Sequence, residues 1–169
     1  MNPSDVSDSS EKQHDTNLLT EVIAALEQNL GDALVSVILF GSRARGDSHK
    51  SSDWDLLVIA HDLPLKLFER HAKLKTSLPV AWRADVAVLS KTPQEFETHL
   101  PSLFLDIALD GIILYDTNNY AREKLTKLKQ FIQQQGLHRE KIEHDWFWRW
   151  EHFPGFNWSL NWEEVLHEA

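Results

Sequence analysis

Cysteine is missing altogether from the 169 residues, which excludes disulfides and thiolate metal sites and leaves any metal to oxygen or imidazole ligands. No apolar run reaches the roughly eighteen residues that a membrane-spanning helix needs, so a membrane role is not expected. Basic residues are in the minority: 17 Lys and Arg face 26 Asp and Glu, for a formal charge of -9. Such a surface repels a phosphate backbone and argues against long nucleic acid as the habitual substrate, although a local basic patch can still take one nucleotide. The opening "MNPSDVSDSSEKQHD" lacks the apolar segment of a secretory signal, so the expected location is cytoplasmic. What remains is an ordinary globular composition, 42% hydrophobic and 25% charged, in a chain long enough for one core-bearing domain and short for two.

Residues 1–16 have almost nothing to bury and are expected to be disordered. Leu18, Leu19, Val22, Ile23, Leu26 and Leu30 then recur at helical spacing up to Gly31. "LVSVILF" (34–40) is short, continuous and β-branched, the pattern of a buried strand. A polar turn follows, then a second strand, "WDLLVIA". Pro64 is placed to open an amphipathic helix through about residue 76, and "VAWRADVAVL" (80–89) alternates like a third strand. Phe96, Leu100, Leu103, Phe104 and Ile107 read as helix restarted at Pro101, before Gly111 and a short "IILY" strand. The stripe Ala121, Leu125, Leu128 and Ile132 predicts a helix over about 120–135. The expected fold is α+β, a small mixed sheet with helices packed on it, in a domain over 17–137 followed by a C-terminal helical and aromatic extension over 138–169.

The chemistry is concentrated in "GSRARGDSHKSSDWD" (41–55). On a strand, Asp53 and Asp55 share one face a few ångströms apart. Two bare carboxylates so close repel, and they call for a cation; hard oxygen ligands suit Mg²⁺, which keeps waters and completes its shell with substrate phosphates. Asp85 stands alone as an acid in an apolar strand. If that strand pairs beside the second, three carboxylates converge and hold two ions, the arrangement that activates an attacking oxygen and stabilises a leaving one. Gly41 permits close backbone approach and Ser42 offers hydroxyl and amide to phosphate. Arg43 and Arg45 are placed to neutralise a triphosphate, with plain surface charge as an equal alternative.

Gly41, Ser42, ten intervening residues, Asp53, Trp54 and Asp55 match the G-S-x(10)-D-x-D signature. The region from Leu18 to Tyr115 resembles the minimal nucleotidyltransferases of the DNA polymerase β-like superfamily. The resemblance implies that fold, nucleotide phosphate binding at Gly41 and Ser42, metal binding at Asp53 and Asp55, and the third acidic position at Asp85, which would help hold the catalytic metal or deprotonate the acceptor hydroxyl. It implies ATP as substrate. It also implies a partner, since minimal nucleotidyltransferases accompany HEPN ribonuclease toxins and act as antitoxins by transferring AMP to a toxin tyrosine hydroxyl. Two other readings stand beside this one: an aminoglycoside-type enzyme, for whose helical second domain the chain has little room, and a non-catalytic steric antitoxin.

The nine histidines show no compact ligand spacing and are expected on the surface. Beyond residue 138 lie five of the seven tryptophans, Trp146, Trp148, Trp150, Trp158 and Trp162, among more acidic than basic residues. They read either as rings packed on the core or as a protein-binding surface. In the second reading residues 146–150 are helical, Pro154 and Gly155 break that helix, and Trp158 and Trp162 extend as an arm toward the acceptor protein.

Overall fold

The computed structural model describes residues 3–143, 145–155 and 159–167. Helix α1 runs from Pro3 to Leu30, through the segment expected to be disordered; Leu18, Val22, Leu26 and Leu30 are buried on it. Strand β1 (Leu34–Phe40) leads into the short helix α2 (Gly41–Arg45) and then strand β2 (Trp54–Ala60). Helix α3 (Leu67–Ser77), strand β3 (Val86–Lys91), helices α4 (Pro93–Thr98) and α5 (Ser102–Asp110), strand β4 (Ile112–Asp116) and helix α6 (Tyr120–Gln134) complete the main body. A two-stranded hairpin, β5 (Leu137–Ile142) and β6 (Asp145–Trp150), and helix α7 (Trp162–His167) follow. Among the described residues no helix is long and apolar enough to cross a membrane.

The main sheet has the order β3-β2-β1-β4. β1 is antiparallel to β2 and β4, whereas β2 and β3 run parallel, which makes the sheet mixed. Both central strands are covered on both faces, and that is why they read as continuous apolar runs. Val37, Leu39, Leu56 and Val58 pack on one side against Leu18, Val22, Leu26 and Leu74 of α1 and α3. Ile38, Leu57 and Ile59 pack on the other against Phe96, Phe104, Ile107, Leu128 and Ile132 of α4, α5 and α6. Strand alternation then puts Asp55, two residues before Leu57, on the side of α4–α6.

Three expectations need correction. α3 begins at Leu67 rather than at Pro64, because the Pro64 carbonyl is taken by the Nε of the buried Arg70 at 2.9 Å and Asp62 turns the chain with φ of 55°. Leu65, Leu67 and Phe68 are left exposed as a result. Residues 80–82 form a 3-10 turn and β3 starts only at Val86, so Asp85 precedes the strand instead of lying within it. Residues 145–150 are a strand, not a helix: Leu137, Arg139 and Lys141 pair with Trp150, Trp148 and Trp146.

The arm expected at the C-terminus is also absent at Trp162, which is buried at 4% exposure. Its ring lies 5.3 Å from that of Phe96 and its indole N–H donates to the Phe96 carbonyl. Phe156 and Trp158 lie outside the described residues. The hairpin is tied to α5 through Arg139, whose guanidinium reaches Asp106 at 3.0 Å and Asp110 at 2.6 Å.

Candidate active site

The site begins where β1 ends. Phe40 is the register partner of Asp55, so the chain leaving β1 passes directly over the Asp55 carboxylate. Gly41 makes that passage with φ of 75°, and a Cβ there would lie 2.3 Å from Asp55 Oδ2. No other residue type fits both the backbone angle and the space. α2 is one turn long and ends at Gly46, in the left-handed conformation at φ 81°. The Ser42 carbonyl closes this turn by accepting from the amides of Gly46 at 2.9 Å and Asp47 at 3.1 Å.

The two arginines do different things. Arg43 is built into the turn: its Nε donates to the Ser52 carbonyl at 3.0 Å, its guanidinium stacks 4.2 Å over the Trp54 ring, and Asp15 of α1 is 3.7 Å away. Arg45 lies 3.3 Å from Asp47 and near enough to Asp55 to act on its charge. Of the two, Arg45 is the one that acts on the charge of Asp55, although sequence spacing treats the pair alike.

Asp53 immediately precedes β2 and is exposed, while Asp55 is half-buried. Burial pushes the Asp55 carboxyl above its ordinary value, repulsion from Asp53 raises it further, and Arg45 offsets part of the rise. The two carboxylates are near enough for the charge of Asp53 to act on Asp55. Asp85 arrives from the neighbouring strand. The first parallel register pair is Trp54 with Val86, and one step earlier the Trp54 amide donates to the Asp85 carbonyl at 2.7 Å. Asp85 therefore stands across from Asp53 in the backbone register, with its side chain exposed. Yet among the described residues no three Asp, Glu or His side chains group closely enough to hold a metal on their own. Asp53 and Asp55 come together; Asp85 lies at the rim.

Several residues of the site left no mark in the sequence. Trp54 supplies the ring beneath Arg43, and the main chain of Ser52 supplies its acceptor. Lys75 and Arg83 hold the segment before β3. A lysine on an amphipathic helix and an arginine between apolar residues look like surface charge, so nothing in spacing points to them.

A glycine-serine turn leading to two acids at the head of the next strand, with a third acid just before the parallel neighbour, is the arrangement of a nucleotide-transferring enzyme of the nucleotidyltransferase fold. Residues 20–120 match the Polymerase beta, Nucleotidyltransferase family, and the chain belongs to that family. A relative from Methanocaldococcus jannaschii named "Putative protein adenylyltransferase" is 35% identical over 120 residues, 69% of this chain and 82% of its own. A second protein of that name from the same organism is 32% identical over 77 residues, covering 46% of this chain and 74% of its own. A solved toxin–antitoxin structure with AMP-PNP is similar at 25% identity and a TM-score of 0.51, over 69% of this chain and 87% of that one.

Proposed function

We propose that the chain is a magnesium-dependent protein adenylyltransferase that acts as an antitoxin, moving AMP from ATP to a tyrosine hydroxyl of a HEPN-type ribonuclease toxin. The observation that carries this reading is the close approach of Gly41 to Asp55, where an added Cβ would lie 2.3 Å from Oδ2: it sets the turn read as phosphate-binding against the carboxylate read as metal-binding, which supports a metal-bound nucleotide. The toxin–antitoxin structure with AMP-PNP and the relatives named as protein adenylyltransferases support the choice of nucleotide and of a protein acceptor.

Asp53 and Asp55 fit Mg²⁺ by the chemistry of their donors, since their mutual repulsion and the burial of Asp55 are relieved by a hard divalent cation that takes the rest of its shell from water and phosphate. When bound, magnesium spreads the charge of the phosphates and of the oxygens that attack and leave. A second ion of the expected pair requires Asp85. In this reading Gly41 and Ser42 hold phosphate oxygens, Arg45 balances their charge, and Arg43 keeps the turn in shape. The exposed Asp85 takes the proton from the acceptor hydroxyl as its oxygen bonds to the α-phosphorus and pyrophosphate departs. An exposed base at the rim suits an acceptor carried on another protein.

The test separates an enzyme from a steric blocker. After incubation with ATP and magnesium, the toxin is separated from the chain, and its intact mass and ribonuclease activity are measured. The expected result is added AMP and lasting inactivity. Full recovery of activity at unchanged mass would contradict the proposal, and transfer to an aminoglycoside but to no protein would redirect it.

A further inference from the structure

Asp85 combines an exposed side chain with a backbone held from several directions. Its carbonyl accepts from Trp54 in β2 at 2.7 Å, and its amide donates to the Trp82 carbonyl at 3.2 Å. The residues around it are held by α3. Lys75, half-buried in the last turn of that helix, donates from Nζ to the Arg83 carbonyl at 2.8 Å and to the Val86 carbonyl, one acceptor on each side of Asp85. Arg83 returns the connection: its Nε donates to the Leu78 carbonyl at 3.0 Å and its terminal nitrogen to the Thr76 carbonyl at 2.9 Å.

Withdrawing an ammonium group from water is costly, and here the charge is spent on two main-chain oxygens rather than on a surface contact. These two oxygens bracket Ala84 and Asp85, and Asp85 is the exposed acid that the strand register sets across from Asp53. We infer that Lys75, with Arg83, is a positioning residue that fixes the placement of the Asp85 carboxylate for proton transfer from the acceptor. The inference rests on the reading of Asp85 as the base. A base has to come within about 2.6–3.2 Å of the hydroxyl it deprotonates. The nucleotide-binding groups at 41–55 lie on α2, the turn after it and the start of β2, so loosening the segment before β3 displaces the base and leaves ATP held as before.

The experiment measures single-turnover AMP transfer to the toxin, ATP affinity and melting temperature for Lys75→Met, Lys75→Arg, Asp85→Asn and the double variant Lys75→Met with Asp85→Asn. Lys75→Met is expected to slow transfer on the order of 10²-fold, the cost of about 1 Å of misplacement, with ATP affinity unchanged. Lys75→Arg keeps the charge and donors and should recover most of the rate. In the Asp85→Asn background the lysine substitution should cost nothing further. If Lys75→Met fails to fold, Lys75→Gln is read in its place with the same expectation. Wild-type transfer by the lysine variant beside an inactive Asp85→Asn would overturn the inference alone. So would an equal loss in both backgrounds accompanied by weaker ATP binding, which marks a purely structural lysine. Wild-type transfer by Asp85→Asn would remove the base itself, and with it both this inference and the assigned role of Asp85.

Discussion

At the scale of single residues, the fit between Gly41 and Asp55 is the most constrained feature of the molecule. Gly41→Ala imposes a Cβ at 2.3 Å from Asp55 Oδ2 on a backbone at φ 75°, a conformation that costs an L-residue about 1–2 kcal/mol before any clash is counted. The alanine variant should stay folded, with a lower melting temperature, and should lose AMP transfer on the order of 10²-fold as the carboxylate is pushed from its place. Transfer assays and thermal melts on the same preparation check this. The residue scale is also where the sequence was most legible, because the glycine-serine turn and the D-x-D spacing are set by local backbone geometry. The same local reasoning could not separate Arg43 from Arg45. Their difference depends on the Trp54 ring and on Asp15 of α1, which only the folded chain brings near.

At the scale of elements, α1, β1, β2, α5 and α6 follow the apolar periodicity closely, since each buries a stripe or a whole face. The elements that departed from expectation are those fixed by partners distant in sequence. Asp85 falls outside β3 because Trp82 is drawn into a 3-10 turn and its carbonyl accepts the Asp85 amide. Residues 145–150 pair with 137–142, and alternating tryptophans that read as a helix face are instead one face of a hairpin. The junction of α3 and α4 has a further consequence. Arg70, 2% exposed, binds Glu95 through two nitrogens at 2.7 and 3.0 Å, and Glu95 also closes the capping box of α4 with Thr92. The hydrogen bond from Arg70, with help from the Thr92 amide and the nearby positive charge, holds the Glu95 carboxyl at about 2, well below its ordinary 4.5. A lowered carboxylate pKa adds stability that is complete above pH 4.5 and is lost as the pH falls toward 2. Glu95→Gln should therefore melt below the wild type at pH 7 and converge with it as the pH approaches 2. A melting difference that stays constant across that window would refute the assignment. Glu95→Ala also removes the cap and strands Arg70, at a cost of about 2–3 kcal/mol, near the low end for a broken buried pair because the glutamate side chain is 38% exposed.

At the scale of the whole molecule, α7 contributes Trp162 and Val165 to the core. Leu137, Trp162 and Val165 are buried with Phe96, Phe104 and Phe131 in one cluster. Trp162→Ala should lower stability by about 3–5 kcal/mol, read as a shift in the denaturation midpoint, and truncation after Gln135 should impair nucleotide binding and partner binding together. A truncated chain with unchanged melting temperature and ATP affinity would restore the docking-arm reading. The aromatic composition alone could not decide this, since tryptophans serve cores and interfaces alike. The central claim remains that Asp53 and Asp55 make this fold a magnesium-dependent transferase of AMP to a protein. It is tested most directly by incubating ATP labelled at the α-phosphate with the toxin and either the wild-type chain or the Asp53→Asn, Asp55→Asn variant, with and without magnesium. The variant removes carboxylate repulsion and should fold at least as stably as the wild type. Label should enter the toxin only with the wild-type chain and magnesium together; label entering at the wild-type rate with the variant, or in the presence of a chelator, would contradict the claim.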